Sequence, residues 1–137
     1  IIPGKAVFTV DFRSHIQEII DAMLEEFYAR APGLCEEIGV QFESQIVGSF
    51  DPPAFDDNCV SAVRAAAERL GYSHIDIVSG AGHDACWIND VAPTSMVMCP
   101  CVDGLSHNEA EEISPEWAEA GANVLFHAVL ETAEIVE

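Results

Sequence analysis

The stretch KAVFTVDFRSHIQEIIDAMLEEFYAR (5–30) changes its hydrophobic period once, and that change decides the fold class. Over 5–13 the apolar side chains alternate. Phe8, Val10 and Phe12 share one face, and Val7, Thr9, Asp11 and Arg13 share the other, the period of a half-buried strand. From Ser14 the period lengthens. Ile16, Ile19, Ile20, Met23, Leu24 and Phe27 recur in steps of three and one, which is the single stripe of an amphipathic helix. Ser14 and Gln17 read as a capping box at its start. Pro32 is placed to bend the helix, and Gly39 to follow its end. VQFESQIV (40–47) alternates again, with Val40, Phe42 and Ile46 on one side. A β-α-β unit over 1–48 is the expectation.

GSFDPPAFDD (48–57) is turn-rich and acidic, and reads as the boundary to a second unit over 49–137. An alanine-rich helix is expected over 57–70, closed by Gly71. IDIV (75–78) is a short apolar strand that runs into SGAGHDA (79–85). A strand breaking at glycines before a short helix is a frequent ligand position in α/β proteins. SMVMCP (95–100) reads as another buried strand, with the loop DGLSHNEAEE (103–112) leaving its end. Ser114 caps a last helix with Pro115 at its first position, and Trp117, Gly121, Val124, Leu125 and Ala128 form its inward stripe. The alternation argues for a parallel or mixed sheet with helices on its faces, an α/β class.

The chain's 137 residues are enough to bury a core, and half of them are hydrophobic, which argues against disorder. Acidic residues number 24 against 5 basic ones, giving a formal charge of −19. A surface that negative repels phosphate backbones and argues against nucleic-acid binding. Beyond Arg69 the only basic side chains are histidines. The acidic excess suits a solvated face or a surface that bound cations offset in part. Five cysteines with no C-x-x-C spacing read as reduced, buried thiols of a cytoplasmic protein. No apolar run is long enough for a membrane span, and no signal peptide opens the chain. The start IIPGKAV, without methionine, reads as the interior of a longer protein.

Among the histidines, His15 in a helix first turn, His74 at a strand start and His127 in mid-helix have structural explanations. His83-Asp84 is either a polar pair in a loop or part of a site. GAGHDA lacks the spacing of nucleotide-binding glycine loops. His107 follows a strand end and a Gly-Leu-Ser turn, with Glu109, Glu111 and Glu112 close behind. A neutral imidazole is a common ligand for divalent metals, and neighbouring carboxylates orient it.

IIPGKAVFTVDFR, SGAGHDA and DGLSHNEAE, in that order and at these separations, resemble the N-carbamoyl-L-amino-acid hydrolase branch of the aminoacylase/carboxypeptidase-G metallohydrolases. That branch includes β-ureidopropionase, allantoate amidohydrolase and ureidoglycolate amidohydrolase. The resemblance implies an α/β catalytic domain with two divalent metals (zinc, manganese, cobalt or nickel) and an inserted α+β lid that forms a homodimer. It implies that 1–48 is the second half of the lid and 49–137 the C-terminal half of the catalytic domain. His107 matches the metal ligand contributed by that half, and Glu111 the acid that supports its loop. Arg13 matches the arginine that pairs with the substrate carboxylate. Gly80, Gly82, His83 and Asp84 match the loop at the pocket wall, with His83 as a substrate contact.

The family's remaining metal ligands and its glutamate base have no counterpart in these 137 residues. The chain alone is therefore expected to be inactive. The activity implied for the complete enzyme is hydrolysis of the carbamoyl C–N bond of a small ureido acid through a metal-activated water. The alternatives are an aminoacylase or dipeptidase of the same superfamily, and a non-catalytic α/β dimerisation fragment.

Overall fold

The computed structural model describes residues 2–133. Ile1, the first residue of the IIPGKAV motif, and 134–137 lie outside the described residues. The chain divides into two compact units between Pro53 and Ala54, inside the GSFDPPAFDD stretch.

The first unit is organised on one helix, α1 (Gln17–Glu37). Its half-buried residues Ile20, Met23, Leu24, Phe27, Ala31 and Cys35 follow the expected helical stripe. Ile16 and Ile19 do not share it, being 39% and 46% exposed. Phe27 joins the helix to the segments on either side. Its ring meets Phe12 edge-on at 5.8 Å and Phe42 at 5.9 Å, a geometry that aromatic quadrupoles favour. The helix ends where expected. Gly39 takes φ 74°, and the N–H groups of Gly39 and Val40 donate to Glu36 and Cys35. Those bonds make a Schellman motif, which satisfies carbonyls the last turn leaves unpaired.

The expected capping box does not form. Ser14 Oγ accepts from Ile16 N at 3.1 Å, closing a local turn, and the helix starts only at Gln17 without a side-chain cap. A serine hydroxyl bonds a nearby backbone N–H as readily in a turn as in a cap. The Gln17 amide instead donates to Asp21 Oδ1 at 2.9 Å. Pro32 lies inside α1, which continues past it to Glu37.

The second unit packs α2 (Asp57–Leu70) against α4 (Pro115–Thr132). Asp56 caps α2 by accepting from Asn58 N at 3.0 Å and Cys59 N at 2.9 Å, and Gly71 closes it at φ 72°. Ser114 caps α4 by accepting from Trp117 N at 3.2 Å, with Pro115 at the first helical position. The core between the helices is Ala62, Ala66, Ala67, Val124 and Ala128. Their side chains are small, yet each is 7% exposed or less. Val97 packs against the same core, and the Cys99 thiol fills the space where a Cβ at Gly121 would lie. Trp117 and Leu125, expected on the inward stripe, are 39% and 54% exposed. An ion pair from Arg69 to Glu131 at 2.9 Å ties the two helices at their rim.

The expected mixed sheet is not formed among the described residues. Segments 5–13, 40–47, 75–78 and 95–100 lie outside the helices and carry no strand ladder. Alternation assigns side chains to faces, but a strand also needs a neighbour for its N–H and C=O groups. Apolar side chains on three of these segments stay open, with Phe8 79%, Val47 76% and Ile75 81% exposed, whereas Phe12 and Phe42 meet Phe27 and Val97 packs on the core.

Candidate functional site

The loop that carries His107 is closed on itself. Val102 N donates to Glu112 O at 2.8 Å, pinning its two ends together. A short 3-10 turn (Val102–Gly104) begins it, and Asp103 and Gly104 take positive φ values of 55° and 68°. Asn108 forms an Asx turn through Ala110 N at 2.9 Å, and its carbonyl accepts from Glu111 N at 3.0 Å. These bonds return Glu111 towards His107. The Glu111 carboxylate then accepts His107 N–H at 2.8 Å, with His107 itself at φ 54°. Left-handed backbone is uncommon outside glycine, though histidine is among the residues enriched there. Glu111 thus supports His107 through its backbone and not its ring.

The second loop, SGAGHDA, leads into a short helix, α3 (Asp84–Asn89). Ser79 Oγ lies 2.6 Å from His83 Nε2 and accepts from Ala81 N at 3.2 Å. His83 takes an extended φ of −128° just before α3, and its carbonyl accepts from Cys86 N at 2.9 Å. Both Ser79 and His83 are half-buried.

The two loops face one cleft of about 590 Å³. Ser79, Gly80 and His83 line it from one loop, and Cys101, His107 and Glu111 from the other. Met98 adds an apolar side chain to the lining. The expected residues Gly80, His83, His107 and Glu111 are therefore brought together. Gly82 and Asp84 are in the same turn but outside the lining; Asp84 is exposed and begins α3. Arg13 is in the first unit, where it donates from Nε and Nη2 to Asp11 Oδ2 at 2.8 and 2.5 Å. That hydrogen bond raises the Arg13 pKa and lowers that of Asp11.

Ser79 and Cys101 are site residues that motif reasoning passed over. Ser79 carried a usable signal, because a serine two residues before an Ala-Gly turn bonds its own backbone. Cys101, whose thiol is 4.0 Å from Glu111 Oε1, carried none. All five cysteines are free thiols; Cys86 is buried and the other four half-buried.

A metal centre requires several convergent donors. Among the described residues no group of three His, Cys, Asp or Glu side chains is placed to hold an ion. His107 offers one imidazole at the cleft, while one oxygen of Glu111 is engaged by the His107 backbone. His107 and Glu111 by themselves do not complete a coordination sphere. No helix among the described residues is long and apolar enough to cross a membrane.

The chain is similar to known proteins along almost all of its length. It is 64% identical over all 137 residues to an N-carbamoyl-L-amino-acid amidohydrolase of Rhizobium meliloti, covering 33% of that protein. It is 30% identical over 125 residues to an allantoate amidohydrolase of Bacillus subtilis, covering 91% of this chain and 30% of the relative. An amidase of the hydantoinase/carbamoylase family from Burkholderia multivorans superposes with TM-score 0.77 at 56% identity, over 87% of this chain and 28% of that one. A hydantoinase/carbamoylase family amidase from Burkholderia ambifaria gives TM-score 0.79 at 36% identity, over 90% and 29% of the two chains. The chain thus spans about a third of the length of the curated relatives it matches. Residues 5–131 match the model of peptidase family M20/M25/M40, and the chain belongs to that family.

Proposed function

We propose that this chain is part of a metal-dependent amidohydrolase that cleaves the carbamoyl C–N bond of N-carbamoyl amino acids or a related ureido acid. The observation that carries the reading is the cleft where the SGAGHDA and DGLSHNEAEE loops meet. Similarity to an N-carbamoyl-L-amino-acid amidohydrolase supports the choice of bond. Two divalent ions, from among zinc, manganese, cobalt and nickel, would supply Lewis acidity to the carbamoyl carbonyl and the attacking water.

The chain's own residues have narrower tasks. His107 supplies one imidazole ligand, and Glu111 holds the backbone that aims it. His83 contacts the substrate from the opposite wall, with Gly80 beside it, where the lack of a side chain leaves room for the ligand. Gly82 and Asp84 shape the turn that presents His83. Arg13 forks onto the substrate carboxylate, exchanging Asp11 for it, because a guanidinium is planar and permanently charged. The general base belongs to residues outside this chain, so the chain alone is inactive.

In this reading 1–48 is the lid and dimerisation part and 49–137 the catalytic part. A homodimer formed through the lid is supported by open apolar side chains there, such as Val7 at 81% and Phe8 at 79% exposure. Free thiols throughout suit the cytoplasm. The test compares hydrolysis of N-carbamoyl and N-acetyl amino acids by the protein at full genetic length, with and without chelator. Preference for the N-carbamoyl series, lost with chelator and in His107→Ala, is expected. Chelator-insensitive turnover overturns the reading, and preference for N-acetyl substrates moves it to the aminoacylases.

A further inference from the structure

His83 has a partner that decides which of its ring nitrogens faces a ligand. Ser79 Oγ sits 2.6 Å from Nε2, on the cleft wall and half-buried. The same oxygen accepts Ala81 N–H at 3.2 Å. A hydroxyl has one proton to give and two lone pairs to offer. With one lone pair on Ala81, the ring either receives the Ser79 proton or gives up its own. Distance separates the two cases. Bonds donated by N–H cluster near about 2.9–3.0 Å, and bonds donated by hydroxyls are shorter, at about 2.7–2.8 Å to oxygen. At 2.6 Å the contact is shorter than the about 2.7–3.2 Å range of bonds donated by N–H, which favours the hydroxyl as the donor.

We propose that Ser79 is a positioning residue: it donates to His83 Nε2 and holds the neutral ring as the Nδ1–H tautomer. His83 then offers the cleft a donor in place of an acceptor. A donor recognises an oxygen of a ureido acid, in its carbonyl or its carboxylate, and disfavours its N–H groups at that position. The proposal rests on the reading that His83 contacts the substrate. The bond spans four residues of one turn, so the tautomer is set by the loop itself before any ligand arrives. The preceding extended φ at His83 and the start of α3 keep the ring's backbone in place. A nucleophilic role for Ser79 is not supported. Such a pair needs a third group to orient the base, and among the described residues no carboxylate hydrogen-bonds the His83 ring.

The test uses the full-length protein selectively labelled with 15N-histidine. Long-range 1H–15N correlations at alkaline pH report which ring nitrogen carries the proton, and the His83 signals are those missing from His83→Asn. Protonated Nδ1 with bare Nε2 is expected in the wild type and in Ser79→Thr, which keeps the hydroxyl. Ser79→Ala should return the ring to a mixture and lower kcat/KM on the N-carbamoyl substrate roughly three- to ten-fold, the scale of one lost neutral hydrogen bond. An Nε2–H ring in the wild type overturns the proposal, as does an unchanged spectrum in Ser79→Ala. Kinetics of His83→Asn separate this from the functional reading. If the Nδ1–H tautomer is found but His83→Asn matches the wild type, the substrate contact is wrong and the role of Ser79 in fixing the ring stands.

Discussion

Glu111 accepts the backbone N–H of His107 at 2.8 Å, across four residues of a loop whose ends are themselves hydrogen-bonded. The bond compensates a left-handed histidine at φ 54°, and so sets the direction from which the imidazole leaves the chain. Glu111→Ala removes the acceptor and lets that backbone relax. At full length we expect metal affinity to fall about 10–100-fold, the range for lost outer-shell support of a ligand. Glu111→Gln keeps an acceptor oxygen and should retain most of the affinity. Metal titration of the apo-enzyme reads both, and equal affinity in wild type and Glu111→Ala would exclude the supporting role.

Asp11 accepts from the Nε and Nη2 donors of Arg13, the side chain proposed to meet the substrate carboxylate. Both side chains are 63% exposed, so the pair is weak and an incoming carboxylate can displace it. Arg13→Ala should raise KM for N-carbamoyl amino acids, with kcat/KM falling roughly 10- to 150-fold, the worth of a charged hydrogen bond. Arg13→Lys should recover little, because an ammonium cannot fork. The loss should vanish on substrates whose carboxylate is amidated. A loss of equal size on those substrates would show that Arg13 acts on stability and not on recognition.

The contrast between what the sequence made legible and what it hid follows the range of the interactions. Gly71 after α2, and Ser114 with Pro115 before α4, were readable because a cap satisfies backbone groups within a few residues of itself, whereas the Asp56 cap of α2 was not singled out. Ser14 was misread for the same local reason: its hydroxyl bonds Ile16 N and forms a turn before the helix begins. Phe12, Phe27 and Phe42 show alternation and helical stripe meeting in one aromatic cluster, yet neither period supplies a ladder partner for the segments that carry Phe12 and Phe42. In the cleft, His83 and His107 stood out by motif. The Glu111 bond to His107 ends on backbone, which no side-chain pattern announces, and the Ser79 bond to His83 depends on how tightly a glycine turn closes.

Gly121 shows a tolerance that depends on one neighbour. Alanine is favoured over glycine inside a helix by about 0.5–1 kcal/mol. Here the new methyl would take the place of the Cys99 thiol, and overpacking costs about 1–3 kcal/mol. Cys99 is half-buried with a single side-chain torsion, so it cannot yield without losing its own packing. Gly121→Ala is expected to destabilise by about 1 kcal/mol, the difference between these two effects. In a Cys99→Ala background the clash is gone, and the same substitution should become neutral or stabilising. Urea unfolding of the four variants measures this coupling as a double-mutant cycle.

Arg64 and Asp76 join α2 to the segment entering the SGAGHDA loop, with Nη2 2.6 Å from Oδ2. The hydrogen bond from Arg64 holds the Asp76 carboxyl below its usual range, and the charge of Arg64 acts in the same direction. A carboxylate depressed in the folded state adds stability at neutral pH, which is lost as pH falls through its folded value. Asp76→Asn lacks this contribution at every pH. The wild type should therefore melt above Asp76→Asn at pH 7, and the two should converge in acid, below the ordinary aspartate range. The side chains are 37% and 64% exposed, so the gap in Tm should be small and should shrink further in molar salt. Net charge does not mimic this pattern. The formal charge of −19 is relieved by one unit in Asp76→Asn, which favours the variant at neutral pH, so a wild type that still melts higher there isolates the ion pair.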